Sequence, residues 1–74
     1  MDFQENLRRI RRDQKRTQLE VAEAAGVWQT QIANYENGRG LPSMDVAIKI
    51  ANFLGVGLDD LFATDAHTEP QPVQ

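Results

Sequence analysis

Phe3, Leu7, Ile10 and Gln14 fall at i, i+4, i+7 and i+11, the spacing of an amphipathic helix whose arginines point outward. This pattern predicts a first helix over about residues 2–14. Thr17 then offers a side-chain oxygen to an unpaired backbone N–H, and Glu20 three residues on completes a capping box, which starts a second helix at Gln18. Gly26 ends that helix, because glycine takes a left-handed backbone at little cost. A third helix is expected over about 28–36, stopped by the Asn37-Gly38 turn signal. Pro42 disfavours a helical residue before it, so 39–42 reads as loop. Ser43 caps a fourth helix, with Asp45 in its first turn and Met44, Ala47, Ile48, Ala51 and Leu54 as its expected buried face, closed by Gly55. A short fifth helix over 58–62 follows Gly57. The fold class predicted is all-α, a compact five-helix domain over residues 1–63, with residues 64–74 a polar tail or linker carrying Pro70, Pro72 and a lone Val73.

Seventy-four residues suit one domain, of a size that buries about 60% of its unfolded surface and is therefore marginal unless helices pack closely or the chain dimerises. The absence of cysteine excludes disulfides, a thiol nucleophile and cysteine metal sites, and fits a cytoplasmic protein. No apolar run approaches the about 18 residues of a membrane span, and the N-terminus lacks the apolar core of a signal peptide, so no membrane partner is expected. The net charge of −3 is unevenly spread. Six of the eight basic residues lie between Arg8 and Arg16, whereas residues 58–74 carry Asp59, Asp60, Asp65 and Glu69 and no base. A positive binding face is therefore compatible with an acidic total, since steering depends on local potential. The plainer reading of the arginine run is a solvated face of the first helix.

The segment from Gln18 to Gly38 reads as a helix, a glycine turn and a second helix. Gln18, Ala22, Gly26, Val27, Ile32, Glu36 and Gly38 resemble the skeleton of a Cro/C1-type (XRE family) helix-turn-helix. The resemblance continues through Leu41-Pro42-Ser43-Met44, Ile50-Ala51, Leu54-Gly55-Val56 and Leu58 to Phe62, and it implies a lambda-repressor-like fold. It implies a sequence-specific regulator of double-stranded DNA, most simply a repressor, that places its third helix in the major groove. Gln29, Thr30, Gln31 and Asn34 match the family's base-reading positions. Amides suit adenine N6 and N7, and a threonine methyl suits thymine. Thr17, Gln18, Asn37, Arg39 and the Gly40 amide match its phosphate contacts, with Lys15 and Arg16 as additional candidates. The family also pairs a first-helix arginine with a glutamate near the end of the third helix, which here means Arg11 and Glu36. Val21, Ala22, Ala25, Val27, Ile32 and Tyr35 are assigned to packing.

Trp28 departs from the family, which usually has Ser or Thr there to cap the third helix. Its ring either packs on Leu19 across the turn, meets a sugar or thymine methyl at the edge of the DNA site, or anchors a protein partner. The resemblance further implies a homodimer on a pseudo-palindromic site, with Phe53, Leu58, Leu61 and Phe62 as seam candidates. Covering the monomer core is the alternative role, favoured for Leu61. Competing functions are a protein-binding adaptor using the same fold or the tail, and an enzyme. The second is poorly supported, because His67 is the only histidine and no glycine-rich phosphate loop is present. No cofactor and no metal are expected; a cluster of His67 with Asp65 and Glu69 reads as tail composition.

Overall fold

A computed structural model describes residues 2–63, and the residues assigned to the tail lie outside it, as do His67, Asp65 and Glu69. Five helices follow one another: α1 (Asp2–Asp13), α2 (Gln18–Ala25), α3 (Gln29–Glu36), α4 (Met44–Leu54) and α5 (Leu58–Phe62). No strand occurs among the described residues. Helices α2 and α4 start on side-chain caps. The Thr17 hydroxyl accepts the Glu20 N–H at 3.0 Å while Glu20 Oε1 accepts the Thr17 N–H at 2.8 Å, and Ser43 Oγ accepts the Val46 N–H at 3.4 Å.

Helices α1 to α4 stop in one common way. A residue just past the end takes the left-handed backbone, and the next N–H reaches back five residues to a carbonyl that would otherwise be unpaired. These bonds are Arg16 N–H to Arg11 O (3.0 Å), Val27 to Ala22 (3.0 Å), Arg39 to Asn34 (2.8 Å) and Val56 to Ala51 (3.0 Å). Three of the left-handed positions are glycine; the fourth is Lys15, at φ 58°. A Cβ at that conformation crowds the following carbonyl.

Phe3, Leu7 and Ile10 of α1, Val21, Ala22 and Ala25 of α2, Ile32 and Tyr35 of α3, Ile50, Ala51 and Leu54 of α4, and Leu61 of α5 form one core. Val27 is half-buried against it. The small Ala22 and Ala25 let α2 lie close to α3 and α4. Phe3 anchors the centre, with Tyr35 edge-on at 6.4 Å and Phe62 stacked at 4.7 Å between ring centroids.

The expected inner face of α4 needs correction. Ala47, Ala51 and Leu54 are buried, but Ile50 takes the central place, and Met44 and Ile48 are exposed by 62% and 40%. At about 100° per residue, 47, 50, 51 and 54 share one stripe, and 44 and 48 lie about 70° and 110° round from its centre.

Two side-chain amides complete the frame. Asn6 Nδ2 donates to the carbonyls of Leu61 (3.0 Å) and Ala63 (2.8 Å), closing the C-terminal end of α5, which has no left-handed cap. Gln14 Nε2 donates to Leu54 O at 2.6 Å, tying the end of α1 to the end of α4. Lys15→Gly should relieve the left-handed strain and raise the unfolding free energy by up to about 1 kcal/mol, as read from urea denaturation. An unchanged or lowered midpoint would contradict that assignment.

Candidate nucleic-acid interface

Helix α3 is short and polar, so its position must come from what it buries. Ile32 and Tyr35 face the core, and beside them Glu36 is buried to 2% exposure. A buried carboxylate needs partners, since its desolvation is otherwise prohibitive. Glu36 has them. Arg11 approaches edge-on, Nε donating to Oε2 at 2.6 Å and the terminal Nη2 donating to Oε1 at 2.9 Å. Gln18 Nε2 donates to the same Oε1 at 3.1 Å, and Arg8 Nη1 donates to the Glu36 backbone carbonyl at 2.9 Å. The remaining Arg11 Nη1 donates to Arg16 O at 2.8 Å. One carboxylate thus ties α1, the start of α2 and the end of α3 together.

Glu36 hydrogen bonding pushes the Arg11 guanidinium above its ordinary range, against the lowering effect of burial. A raised cationic pKa gives stability that is complete below the unfolded value and lost only as pH rises through the folded one. That window lies in strong alkali, so Arg11 contributes no switch at working pH.

The opposite face of α3 is free. Gln29, Thr30 and Asn34 are exposed, and their side chains make no hydrogen bond among the described residues. Gln29 and Asn34 are five apart, about 140° round the helix, so they flank Thr30. Gln31 is different. Its Oε1 accepts the Trp28 N–H at 3.2 Å, which makes it the reciprocal half of a capping box whose other half Trp28 cannot supply.

Trp28 occupies the cap position with an extended backbone and is 79% exposed. Packing on Leu19, itself exposed, is therefore overturned: the ring is not covered by its own chain. An apolar residue there has no oxygen to satisfy the first N–H groups of α3, which leaves those donors pointing outward.

The flanks carry the phosphate candidates. Thr17 and Gln18 stand at the start of α2, where free N–H groups and the helix dipole favour an anion. Thr17's hydroxyl already accepts the Glu20 N–H but keeps its own proton, while Gln18 is half-buried with one amide N–H spent on Glu36. Asn37 and Arg39 are exposed beyond α3 with unengaged side chains, and the Gly40 N–H has no protein acceptor among the described residues. Lys15 is exposed, but Arg16 is turned aside. Its guanidinium lies 5.0 Å from the Phe53 ring centroid and 4.0 Å from Glu20.

The arginine run is mostly structural. Arg8 and Arg11 serve Glu36, and Arg9 donates to Asn6 Oδ1 at 3.1 Å. Asn6 was not singled out from the sequence, although a polar residue inside the Phe3, Leu7, Ile10 stripe was the available signal.

The expected dimer seam also changes. Leu61 is wholly buried, so it lies under the surface and offers nothing to a partner. Phe53 and Leu58 are half-buried, the former beneath Arg16, and Phe62 keeps 37% exposure while stacked on Phe3.

A helix-turn-helix family model matches residues 7–61. Among curated relatives, the cryptic phage CTXphi transcriptional repressor RstR of Vibrio cholerae is 36% identical over 93% of this chain and 64% of its own length. The HTH-type transcriptional activator BcrR of Enterococcus faecalis is 35% identical over 85% of this chain and 31% of its own. The uncharacterized HTH-type transcriptional regulator YqaE of Bacillus subtilis is 34% identical over 88% and 56%. The chain spans less than two thirds of the length of each.

Breaking the buried pair should be costly, because the surviving charge is left without a partner. Arg11→Ala should lower the unfolding free energy by about 3–5 kcal/mol in a urea titration, and Arg11→Lys should recover only part of it, lacking the two-pronged donor. A loss below 1 kcal/mol would deny the pair its structural role. With one carboxylate clamping a short helix whose far face is free, on a matching family pattern, the chain belongs to the Cro/C1-type helix-turn-helix family of non-enzymatic DNA-binding domains.

Proposed function

We propose that this chain is a transcriptional regulator of the cytoplasm that binds double-stranded DNA sequence-specifically as a homodimer, with α3 in the major groove. The observation that carries the reading is the division of α3. Its inner face is fixed by Ile32, Tyr35 and Glu36, while Gln29, Thr30 and Asn34 stand exposed and uncommitted. A groove-reading helix must be rigid in position and have unspent donors and acceptors on its outer side.

In this account Gln29 and Asn34 bond base edges and Thr30 offers its methyl. Gln31 holds the Trp28 backbone and turns away from the bases. Thr17, the remaining Gln18 N–H, Asn37, Arg39 and the Gly40 amide hold phosphates, and Lys15 adds a charge at the margin. Repression by occluding a promoter is the simplest outcome and accords with the similarity to a phage repressor. Because an activator is almost as similar, the direction of regulation needs a promoter assay.

Trp28 enters as an apolar contact. In this motif the N-terminal residues of the second helix meet base edges first, and Trp28 immediately precedes them. The residues that follow it on the helix, Gln29, Thr30 and Gln31, are polar. A thymine methyl at the outer edge of the half-site is the surface it suits.

On a duplex enriched from a random pool, Gln29→Ala should alter base preference. Arg39→Ala should weaken all sequences alike and flatten the dependence of log affinity on log salt by about 1. Uniform effects of both variants, or affinity indifferent to salt, would defeat the DNA-reading account. Trp28→Ser should cost affinity on a thymine-containing duplex and cost less when deoxyuridine replaces the edge thymine. Equal losses on both duplexes would exclude the methyl contact.

A further inference from the structure

Among the described residues, three of the six exposed large hydrophobic side chains lie within eight consecutive positions: Leu41 (61%), Met44 (62%) and Ile48 (40%). Met44 and Ile48 are one turn apart on α4, about 5–6 Å between Cβ atoms, and form a stripe that the described residues leave exposed. The opposite flank of α4 is occupied, since Phe53 lies under Arg16 and lines a recess with Glu20, Glu23 and Ala24 of α2. Leu41 lines a second recess with Tyr35, Gly38 and Gly40, so the open stripe begins beside the end of α3.

We infer that this stripe is the seam of the homodimer, in which α4 packs antiparallel against α4 of a second copy across a two-fold axis between residues 46 and 47. The inference rests on the homodimer reading above and places its interface on the first half of α4 rather than on α5. A two-fold contact is self-complementary, so each residue must suit its symmetry mate. With the axis there, Met44 of one copy lies within one residue's rise, about 1.5 Å along the helix, of Ile48 of the other and packs on it. Asp45 and Lys49 share the flank next to the stripe, and both are exposed. Antiparallel helices related by this axis bring like flanks together, so Asp45 of each copy faces Lys49 of its mate. The opposite charges then pair twice, once at each end of the seam.

Alternative occupants fit less well. Residues 64–74 contain one large apolar side chain, Val73, and cannot cover three. An unrelated partner would have no need of a charge pattern that matches itself. The seam also lies next to Asn37, Arg39 and Gly40, so it would set the two phosphate-binding loops, and through them the two α3 helices, at a fixed spacing.

Sedimentation of the full chain, alone and on duplexes carrying one or two inverted half-sites, tests this directly. The wild type should dimerise and bind the double site cooperatively. Ile48→Asp should weaken dimerisation by about tenfold or more, because it sets an unpaired carboxylate against Met44 of the mate in an apolar seam, while single half-site affinity stays unchanged. D45K and K49D should each weaken dimerisation alone. Mixed in equal amounts they should recover it, since one copy then presents only lysines and the other only aspartates. D45K also removes an acid from the first turn of α4, so recovery in the mixture is the decisive reading. Dimerisation and cooperativity unaffected by Ile48→Asp, failure of the mixture to recover, or a wild type that never pairs would each overturn the seam. Loss of single half-site binding in the wild type itself would strike instead at the DNA reading.

Discussion

Glu36 is the constraint on which the recognition unit depends. Helix α3 has eight residues and too little apolar surface to hold its own orientation, and isolated helices of that length are unstable in water. Its last residue is therefore pinned by four donors from three places: two from Arg11, one from Gln18, and one from Arg8 to its carbonyl. A hydrophobic contact could hold the helix down, but not fix its rotation. Directional bonds do both, and rotation decides which side chains face outward.

That use of arginine resolves the conflict between an acidic chain and a nucleic-acid partner. Most of the basic residues in α1 are spent inward or on neighbouring groups, so they are not a phosphate-binding patch. The cations left near the expected groove are few, chiefly Lys15 and Arg39, supplemented by backbone amides. Such a surface neutralises few phosphates, so non-specific affinity should be low and a larger share of binding must come from base contacts. In the proposed homodimer two copies acting together would compensate for weak individual half-sites, which ties the proposed seam on α4 to the electrostatics of α3.

Much of this was legible in the sequence because it is local. Thr17 with Glu20, Ser43, Gly26, Gly38 and Gly55 announce helix ends within a few residues, and the observed bounds follow them closely. The Arg11–Glu36 partnership and the outward face of α3 were legible only through family resemblance. Three things were not. Lys15 takes a position that chemistry would assign to glycine, and nothing adjacent signals it. Asn6 finds its carbonyl partners more than fifty residues away, at a helix end that lacks its own cap. Met44 and Ile48 fit an inner face by hydrophobicity, but the rotation of α4 is set by Ala47, Ile50 and Ala51 fitting against its neighbours, and a one-dimensional pattern does not contain that fit. Trp28 is a departure from the family, and its role depends on its exposure.

The most direct test of the central claim is amide chemical-shift mapping of the labelled chain during titration with its enriched duplex. Perturbations should concentrate at Trp28, Gln29, Thr30 and Asn34 and at the loop from Asn37 to Gly40, with Glu36 and the Arg11 side chain retaining their free-state signatures. Perturbations centred on α1, or loss of the Arg11–Glu36 signature on binding, would contradict a reading helix held rigid by its buried carboxylate.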